Sequence, residues 1–474
     1  MGGRIDLLFR GARVVDAEAD LDAVRDVAVA GDKITAVEPE ISPGRARRVI
    51  EARGLALLPG MVDSHVHMVD GRSRRSAAHA RLARAGVTTA VEFSDMRGVL
   101  EQWAGSSAGL TVLGLQALPA YDGRTRSSRI RDDVGAALRD GCIGVKIFGG
   151  HYPSTPAAAA QIIGTADDLG VYVAFHAGTT EHGSDLAGMR EAVELAGGRS
   201  LHIAHTNAYL RGLIHDPLEE NRAAIQLLRD HPRVVSEAHL GPLNMCFGRV
   251  RDGELDDHIV RNCLRLRGYP PDLAGLRQAF LDGFAHAFPR GNGEPVPVTG
   301  EQGLATWRSD TEGSILSFPV NLRMTAYLQT CARVGDAGDV RYEGPGDFVV
   351  DAISSDGGLW RNVILDQGLT MVQLGALSLV ELVRKACRQP AALFGLNDKG
   401  HLNPGADADL VGVDLDRRRV EFTVAAGQMI YDGERITGTG GTVLTSPEGT
   451  EALDRRGIPH RAIDLADSLF RRRR

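Results

Sequence analysis

The sequence predicts an α/β fold, a (β/α)8 TIM-type barrel with a small β-sandwich domain formed by both chain ends and an insert before strand eight. Two observations predict it. From Leu57 onward, short Val/Ile/Ala-rich runs alternate with helical stretches of about a dozen residues, which is the pattern of a parallel sheet or barrel. Both chain ends instead contain short alternating apolar runs broken by turn residues, which is typical of antiparallel strands.

Eight apolar runs fit the strands of the barrel. Helical stretches fill most of the intervals between them, and many of these end in a Gly that follows the last periodic residue, as a C-cap does. Eight strands is the number that closes a barrel of this kind. In chain order the runs are LLPGMVDSH, VTTAVEF, LTVLGLQAL, IGVKIF, VYVAFH, LHIAH, RVVSEAH and FVVDAISSD.

The same pattern sets the domain boundaries. We expect residues 1–57 and 396–442 to form the two parts of the sandwich and residues 58–395 to form the barrel. A stretch from about 240 to 346 lacks the βα repeat, which predicts an inserted subdomain between strands seven and eight. Residues 443–474 are expected to form a polar tail.

Composition excludes several classes of function. The 474 residues include 54 Lys and Arg against 61 Asp and Glu, a net charge of −7, so nucleic acid is not expected as a partner. No apolar run approaches the ~20 residues of a membrane span, and the N-terminus lacks a signal-peptide core, so we expect a cytoplasmic protein without a membrane partner. Five scattered cysteines with no CxxC pair argue against a disulfide scaffold or a cysteine zinc site.

Polar side chains of the kinds that bind divalent metals lie at the carboxyl ends of the predicted strands. In a barrel these ends meet at one mouth, where the active site lies. Histidine, carboxylate and modified lysine groups there form a candidate metal site. The candidates are His65 and His67 on strand one, Lys146 on strand four, His176 on strand five, His205 on strand six and Asp356 on strand eight.

The spacing of His65 and His67 places both imidazoles on one side of a strand, because residues i and i+2 of a strand point the same way. Taken alone, this pair is as well explained by chance as by metal binding, and His176 and His205 would each favour a hydrogen-bonded core histidine. Their joint occurrence at different strand ends favours metal binding. We choose His205 over His202 because it lies nearer the end of its strand.

Lys146 is an unusual residue for a barrel interior. Burial lowers the pKa of a lysine, and a neutral amine reacts with CO2 to form an anionic carbamate that can bridge two metal ions. The alternative is a structural lysine in a salt bridge. A carbamate implies a binuclear centre, with the carbamate shared between both ions. His65, His67 and Asp356 would then bind one ion, and His176 and His205 the other.

Several motifs together resemble the amidohydrolase superfamily, and within it the hydantoinase, dihydroorotase and D-aminoacylase branches. They are PGMVDSHVH, AGVTTAVEF, GCIGVKIF, LHIAHTN, ISSDGG and HLNPGADADLVGVD, and the resemblance covers residues from about 4 to 440. It implies a barrel with a flanking β-sandwich, zinc as the metal, and metal-binding roles for the six residues above. It also implies a small-molecule amide substrate, and we expect a homo-oligomer.

The chemistry expected of such a centre is hydrolysis of a C–N amide bond. Two cations, expected to be Zn2+ bridged by carboxylated Lys146, lower the pKa of a shared water enough to supply hydroxide near neutrality. Asp356 would take a proton from that water and pass it to the leaving nitrogen. One of the metal ions would polarise the carbonyl oxygen.

The substrate remains open between linear and cyclic amides. The interval of 29 residues from His176 to His205 (205 − 176) and the long insert resemble D-aminoacylases, whereas Lys146 in VKIFGG resembles hydantoinases and allantoinases. Tyr152 and Glu181 are candidate substrate contacts, with plain loop residues as the alternative.

Two rival functions stay open at this point. A metal-dependent deaminase would use one ion and a glutamate proton shuttle, for which Glu181 and Glu237 are available, but Lys146 argues against it. A non-catalytic barrel scaffold would lack metal ligands, whereas here all six positions are filled.

Overall fold

The structure, a computed structural model, contains the barrel that the sequence predicts. It describes residues 4–69, 77–289, 296–333, 348–358 and 362–472. Successive strands of the barrel pair in parallel in chain order. The strands are Met61–His67, Val87–Glu92, Thr111–Ala117, Gly144–Phe148, Tyr172–His176, Leu201–Ile203, Val234–His239 and the divided strand eight, Ala352–Ser354 with Gly357–Gly358.

Strand eight closes the barrel in two short steps. Its first part pairs with strand seven, with His239 opposite Ser354, and its second part pairs with strand one, with Gly358 opposite His67. Asp356 lies between the two parts with φ 44° and is thereby directed to the carboxyl-terminal mouth. This ring of eight strands confirms the predicted fold class.

Helices surround the barrel. Each helix packs back onto the barrel strand that precedes it. The buried faces of the helices and the outward-facing residues of the strands therefore form a single large core. The helices that follow strands one to six are Ala78–Arg84, Met96–Ser106, Ser127–Arg139, Pro156–Leu169, Leu186–Ala196 and Pro217–Asp230. Those after strand eight are Ile364–Gln373, Leu379–Val383, Arg384–Arg388 in π-helical form, and Gln389–Leu393.

Both chain ends contribute to one eight-stranded accessory sheet. Strand 56–59 pairs antiparallel with strand 410–414, which joins the N-terminal and C-terminal parts. Phe9 and Phe422 lie three strands apart, or roughly 14 Å at the usual strand spacing, yet their ring centroids are 5.3 Å apart. The sheet therefore curls around its own core. Its strands are Ile5–Asp16, Leu21–Ala30, Lys33–Glu38, Ala46–Glu51, Ala56–Pro59, Leu410–Asp414, Arg419–Ala425 and Gln428–Tyr431.

The segment between strands seven and eight forms a subdomain with its own core. Three of its strands make a small antiparallel sheet, and Phe280, Trp307 and Phe318 are buried against it. Residues 290–295 and 334–346 of the expected insert lie outside the described residues. The strands are Leu243–Phe247, Val250–Arg251, Glu254–Leu255, His286–Ala287 and Ile315–Pro319, and the helices His258–Arg265, Leu273–Leu281, Gly300–Arg308 and Leu322–Thr330.

Residues 443–474, expected as a polar tail, are largely ordered against the barrel where the structure describes them. Strand Thr442–Thr445 pairs with strand three and with strand His460–Ala462. Helix Thr450–Arg456 follows the first of these C-terminal strands, and helix Leu469–Arg472 follows the second. Phe470 is fully buried, with its ring stacked on Tyr172 at 4.1 Å between centroids. The segment is mostly polar, so its few apolar anchoring residues did not stand out in the sequence.

None of the described helices is long and apolar enough to cross a bilayer.

Replacing Phe470 tests this anchoring. Phe470→Ala removes a buried ring and leaves a cavity against Tyr172, so the free energy of unfolding should fall by about 3–5 kcal/mol. Urea denaturation followed by circular dichroism measures the change. Leu374→Ala is the matched control, since Leu374 is 79% exposed, and should change stability by less than about 0.5 kcal/mol. Equal stability of the two variants would contradict a packed C-terminal segment.

Candidate metal centre

Three side chains from strands one and eight converge at the mouth of the barrel. Asp356 Oδ1 lies 3.5 Å from His65 Nε2 and 3.4 Å from His67 Nε2. One ligand atom from each of the three lies within 4.8 Å of the others. His65 is fully buried, while the side chain of His67 is 28% exposed toward the mouth. This group has the donor types and spacing of a site for one divalent cation.

Two further histidines face this group from strands five and six. The rings of His176 and His205 meet edge to face with centroids 4.3 Å apart, and the ring of His205 lies 5.3 Å from that of His65. Nδ1 of His176 and Nδ1 of His205 are both buried and have no hydrogen-bond partner among the described residues. A buried ring nitrogen without a partner is unfavourable, so each of these two atoms is a candidate metal ligand.

Lys146 lies between the two groups. Its Nζ is 3.1 Å from His65 Nε2 and 5.1 Å from the ring centroids of both Phe93 and Phe148. Burial lowers the pKa of Lys146 to about 8, although the charges of nearby carboxylates oppose the shift. In the described part of the chain Lys146 forms no ion pair with a carboxylate, which disfavours a structural salt bridge.

Burial keeps His65, His176 and His205 neutral. Burial, helped by neighbouring cationic groups, lowers the pKa values of His65, His176 and His205 well below the ordinary value. A neutral imidazole keeps the lone pair that a metal requires, so metal ions need displace no proton from these rings near neutral pH.

A buried carboxylate on strand seven orients the centre. Glu237 Oε1 lies 2.7 Å from His65 Nδ1 and accepts the backbone N–H of His205, and Glu237 Oε2 accepts the hydroxyl of Ser354. The bond to Nδ1 fixes the tautomer of His65 and leaves Nε2 free to ligate. The sequence analysis named Glu237 only as a possible proton shuttle. Its position two residues before the end of a barrel strand is the signal that it points inward.

A second carboxylate, that of Glu92, orients His67 through the hydroxyl of Ser94. His67 Nδ1 lies 2.9 Å from the hydroxyl of Ser94, and that hydroxyl donates to Glu92 Oε1 at 2.9 Å. Glu92 also accepts the backbone N–H of Met68, Ser94 and Asp95. The end of strand two is thereby fixed around the ligand, an arrangement that the sequence analysis missed.

Two of the candidate ligands have left-handed backbone conformations. His205 has φ 33° and ψ 60°, and Asp356 has φ 44°. Such conformations are unfavourable for residues with a side chain and persist where the surrounding contacts enforce them. At both positions the backbone turns as a strand ends, which directs the side chain to the mouth.

The structure brings the six predicted ligand residues together, but not the two weaker candidates. Tyr152 is 40% exposed, and its hydroxyl accepts a hydrogen bond at 3.1 Å from Arg249 of the insert. Glu181 is exposed, and its described hydrogen bond is that of its backbone N–H to Thr179 Oγ1. Tyr152 lies on the loop after strand four and Glu181 on the loop after strand five, so both are outside the group of candidate ligands.

The remaining histidines near strand ends have other partners. His202 is buried within strand six and bonds through Nδ1 to the hydroxyl of Tyr172 at 2.8 Å. His239 Nε2 lies 3.9 Å from Asp356 Oδ2 and 3.2 Å from Asn207 Nδ2. His239 therefore contacts the metal centre through Asp356.

A hydrogen bond between His151 and Asp257 joins the insert to the centre. His151 Nδ1 lies 3.1 Å from Asp257 Oδ2, and the ring of His151 packs on that of His176 at 5.0 Å. Burial alone would raise the pKa of Asp257, but His151 and the backbone N–H groups of Phe247 and Ile259 outweigh it and lower the pKa below its usual range. The insert is thus a wall of the mouth.

Comparisons with known proteins show which families and folds the chain resembles. A profile of the amidohydrolase family matches residues 344–436. The L-hydantoinase of Paenarthrobacter aurescens is 24% identical over 494 aligned positions that cover 95% of each chain. The adenine deaminase of Deinococcus radiodurans is 40% identical over 86 residues, which are 18% of this chain and 16% of that one. A crystal structure of a D-aminoacylase superposes with a TM-score of 0.65 at 17% identity and covers 93% of this chain and 99% of its own.

Glu237→Gln tests the orienting carboxylate. Glutamine keeps the size of the side chain but loses the charge that holds His65 Nδ1, so zinc affinity should fall about 10- to 100-fold. Competition with a chromophoric chelator measures the affinity. The exposed Glu181→Gln serves as the control and should bind zinc like the parent protein. Unchanged affinity in Glu237→Gln would contradict the orienting role.

Proposed function

Because this chain belongs to the amidohydrolase superfamily, we propose that it hydrolyses a C–N amide bond in an N-acyl amino acid or in a cyclic amide such as a hydantoin or dihydropyrimidine. The family assignment supports a hydrolase that acts on C–N bonds other than peptide bonds. The observation that carries the proposal is the convergence of the His65, His67 and Asp356 group with Lys146, His176 and His205 at one barrel mouth.

We further propose that the cofactor is a pair of zinc ions bridged by carboxylated Lys146. His65, His67 and Asp356 would hold one ion and His176 and His205 the other, with the carbamate shared. Neutral imidazoles and two buried ring nitrogens without partners support this assignment. Burial lowers the pKa of Lys146 to about 8, which favours the neutral amine, and this amine releases one proton when it adds CO2.

When bound, the ions would lower the pKa of a water molecule and polarise the amide carbonyl. The protein must then move one proton. Asp356 accepts a proton as the water oxygen adds to the carbonyl carbon, and donates it to the nitrogen as the C–N bond breaks. The products are a carboxylate and an amine or ureido group. His239, 3.9 Å from Asp356 Oδ2, limits the orientations open to the carboxylate.

Deamination is less well supported. It needs a glutamate that is free to carry a proton at the mouth, and the Glu237 oxygens instead contact three donors below the centre. Glu181 is exposed on a loop. The similarity to adenine deaminase spans less than a fifth of the chain. We therefore place amide hydrolysis first.

Asp356→Asn tests the proton transfer. Asparagine can still reach the metal site but cannot accept the proton, so kcat should fall by a factor of about 100 to 10,000 while most of the zinc is retained. A panel of hydantoins, dihydropyrimidines and N-acyl D- and L-amino acids supplies the substrate, and elemental analysis supplies the metal content. Asp168→Asn, on an exposed helix face, is the control. Full turnover by Asp356→Asn would exclude the proposed role.

Carboxylation of Lys146 is testable separately. Apoprotein loaded with zinc in 13C-bicarbonate should give a carbamate carbon signal in NMR, and the Lys146→Arg variant should not. In CO2-free buffer we expect a lower zinc content per chain. Lys385 is also fully buried, with its pKa lowered to about 7 by burial, and so is a competing site. A signal that persists in Lys146→Arg would assign the label elsewhere and contradict the bridging carbamate.

A further inference from the structure

A cavity of about 230 Å3 lies between the barrel and the insert. A cavity of roughly 150 Å3 is enough for benzene, so this one has room for a benzene ring that carries a small polar group. Phe284 and Phe318 of the insert form apolar walls, and Arg211 comes from the segment after strand six. The exposed residues Arg267 and Asn321 also line the cavity, so it opens to solvent.

The cavity is separate from the metal centre. None of the six candidate ligands lines it. Asn207 stands between the two and is bonded to His239, since its Nδ2 lies 3.2 Å from His239 Nε2 and its Oδ1 accepts the His239 backbone N–H at 3.3 Å. Both side chains are buried. A molecule in the cavity would therefore occupy a second site, away from the reacting groups.

Arg211 is the unbalanced charge of this cavity. Its Nε is buried without a hydrogen bond, and its NH1 lies 3.6 Å from Cys263 Sγ. Burial raises the pKa of the Cys263 thiol although Arg211 opposes the shift, so the thiol stays neutral and does not balance the guanidinium. Within the described ranges no carboxylate pairs with Arg211, and no acidic residue of those ranges lines the cavity. The cavity therefore attracts an anion.

The asparagines of the lining are already engaged. Asn221 Nδ2 donates to two backbone carbonyls, at 3.4 and 2.8 Å. Asn244 Oδ1 accepts the N–H of Phe318 at 3.1 Å, and its Nδ2 lies 3.4 Å from Cys263 Sγ. The guanidinium of Arg211 is left to bind a ligand, and a guanidinium pairs best with a carboxylate, which accepts two parallel hydrogen bonds.

The segment that carries Arg211 is held in place. Buried Glu220 accepts the backbone N–H groups of Gly212 at 2.6 Å, Ile214 at 2.8 Å and His215 at 3.1 Å. Because these bonds fix the loop, a ligand need not order it, and binding avoids that entropic cost.

We propose that this cavity binds a small organic carboxylate with an apolar body, at a site distinct from the metal centre. The carboxylate pairs with Arg211, and the apolar body packs against Phe284 and Phe318. Arg267, whose guanidinium lies 4.9 Å from the ring centroid of Phe284, adds positive charge at the opening. Since the ligand contacts both the barrel segment and the insert, its binding stabilises the docking of the insert. The proposal does not depend on amide hydrolysis.

Benzoate and its neutral analogue benzamide test the site. Calorimetry with the zinc-loaded parent protein should show that benzoate binds about tenfold more tightly than benzamide or better, because only benzoate forms charge-assisted bonds to a guanidinium. In Arg211→Gln the affinity for benzoate should fall about 10- to 100-fold, and Arg211→Lys should recover part of the loss. Arg265→Gln is the matched control and should bind benzoate like the parent, because Arg265 is exposed on an insert helix and bonds to Asn262.

Zinc removal separates this site from the metal centre, because a carboxylate also binds metal ions. Benzoate should bind equally well before and after a chelator strips the zinc. Binding that is lost with the zinc but unchanged in Arg211→Gln would place benzoate at the metal centre and overturn the proposal. Equal affinity of the parent protein for benzoate and benzamide, or no binding of benzoate at all, would overturn it as well.

A variant on the insert side makes the test independent of the folding of Arg211→Gln. Met324 is half-buried in the lining of the cavity, so the larger indole of Met324→Trp should fill the space and abolish benzoate binding while Arg211 stays in place. Thermal denaturation gives a second readout, because saturating benzoate should raise the Tm of the parent protein but not that of Met324→Trp. Unchanged benzoate binding in Met324→Trp would show that benzoate lies elsewhere and would contradict the proposal.

Discussion

The carboxylate of Glu237 is the contact on which the metal centre depends. Glu237 lies on strand seven. Its two oxygens form hydrogen bonds with the His65 ring of strand one, the backbone N–H of His205 after strand six and the Ser354 hydroxyl of strand eight. Charge-assisted hydrogen bonds are strong where water is absent, and Glu237 is fully buried. One side chain thus fixes the relative positions of four strand ends, and with them two ligands from different strands.

The candidate ligands and the walls of the mouth lie on different parts of the fold. The candidate ligands lie on or directly after barrel strands, whereas Arg249 and Asp257 lie on the insert. Loops can change without disturbing the strands that hold a metal. Proteins named L-hydantoinase and D-aminoacylase accordingly resemble most of this chain at 24% and 17% identity. The likeness to both proteins therefore shows the shared fold and leaves the walls of the mouth as the part that differs in position from the candidate ligands.

The sequence predicted the features that depend on local periodicity, and it failed where the contacts are distant. The βα alternation predicts the eight strands, and polar residues at their ends predict the convergence of His65, Lys146 and Asp356, because parallel strands end at one mouth. The position of Glu237 near the end of its run indicates an inward side chain, but its partners lie on strands one, six and eight and are set only when the barrel closes. The pairing of His151 with Asp257 spans 106 residues, and it exists because the insert returns to the barrel.

The position of Lys146 links the two parts of the proposed cofactor, metal loading and lysine carboxylation. His65 Nδ1 is bonded to Glu237, so Nε2 is the atom left for a metal, yet the amine of Lys146 lies 3.1 Å from that same Nε2. A protonated amine donates to the lone pair that a cation would need and repels the cation as well. The free lysine and the metal therefore exclude each other at His65. The proposed conversion of the amine to a carbamate would replace a competing positive charge with an anionic ligand and so would remove both obstacles.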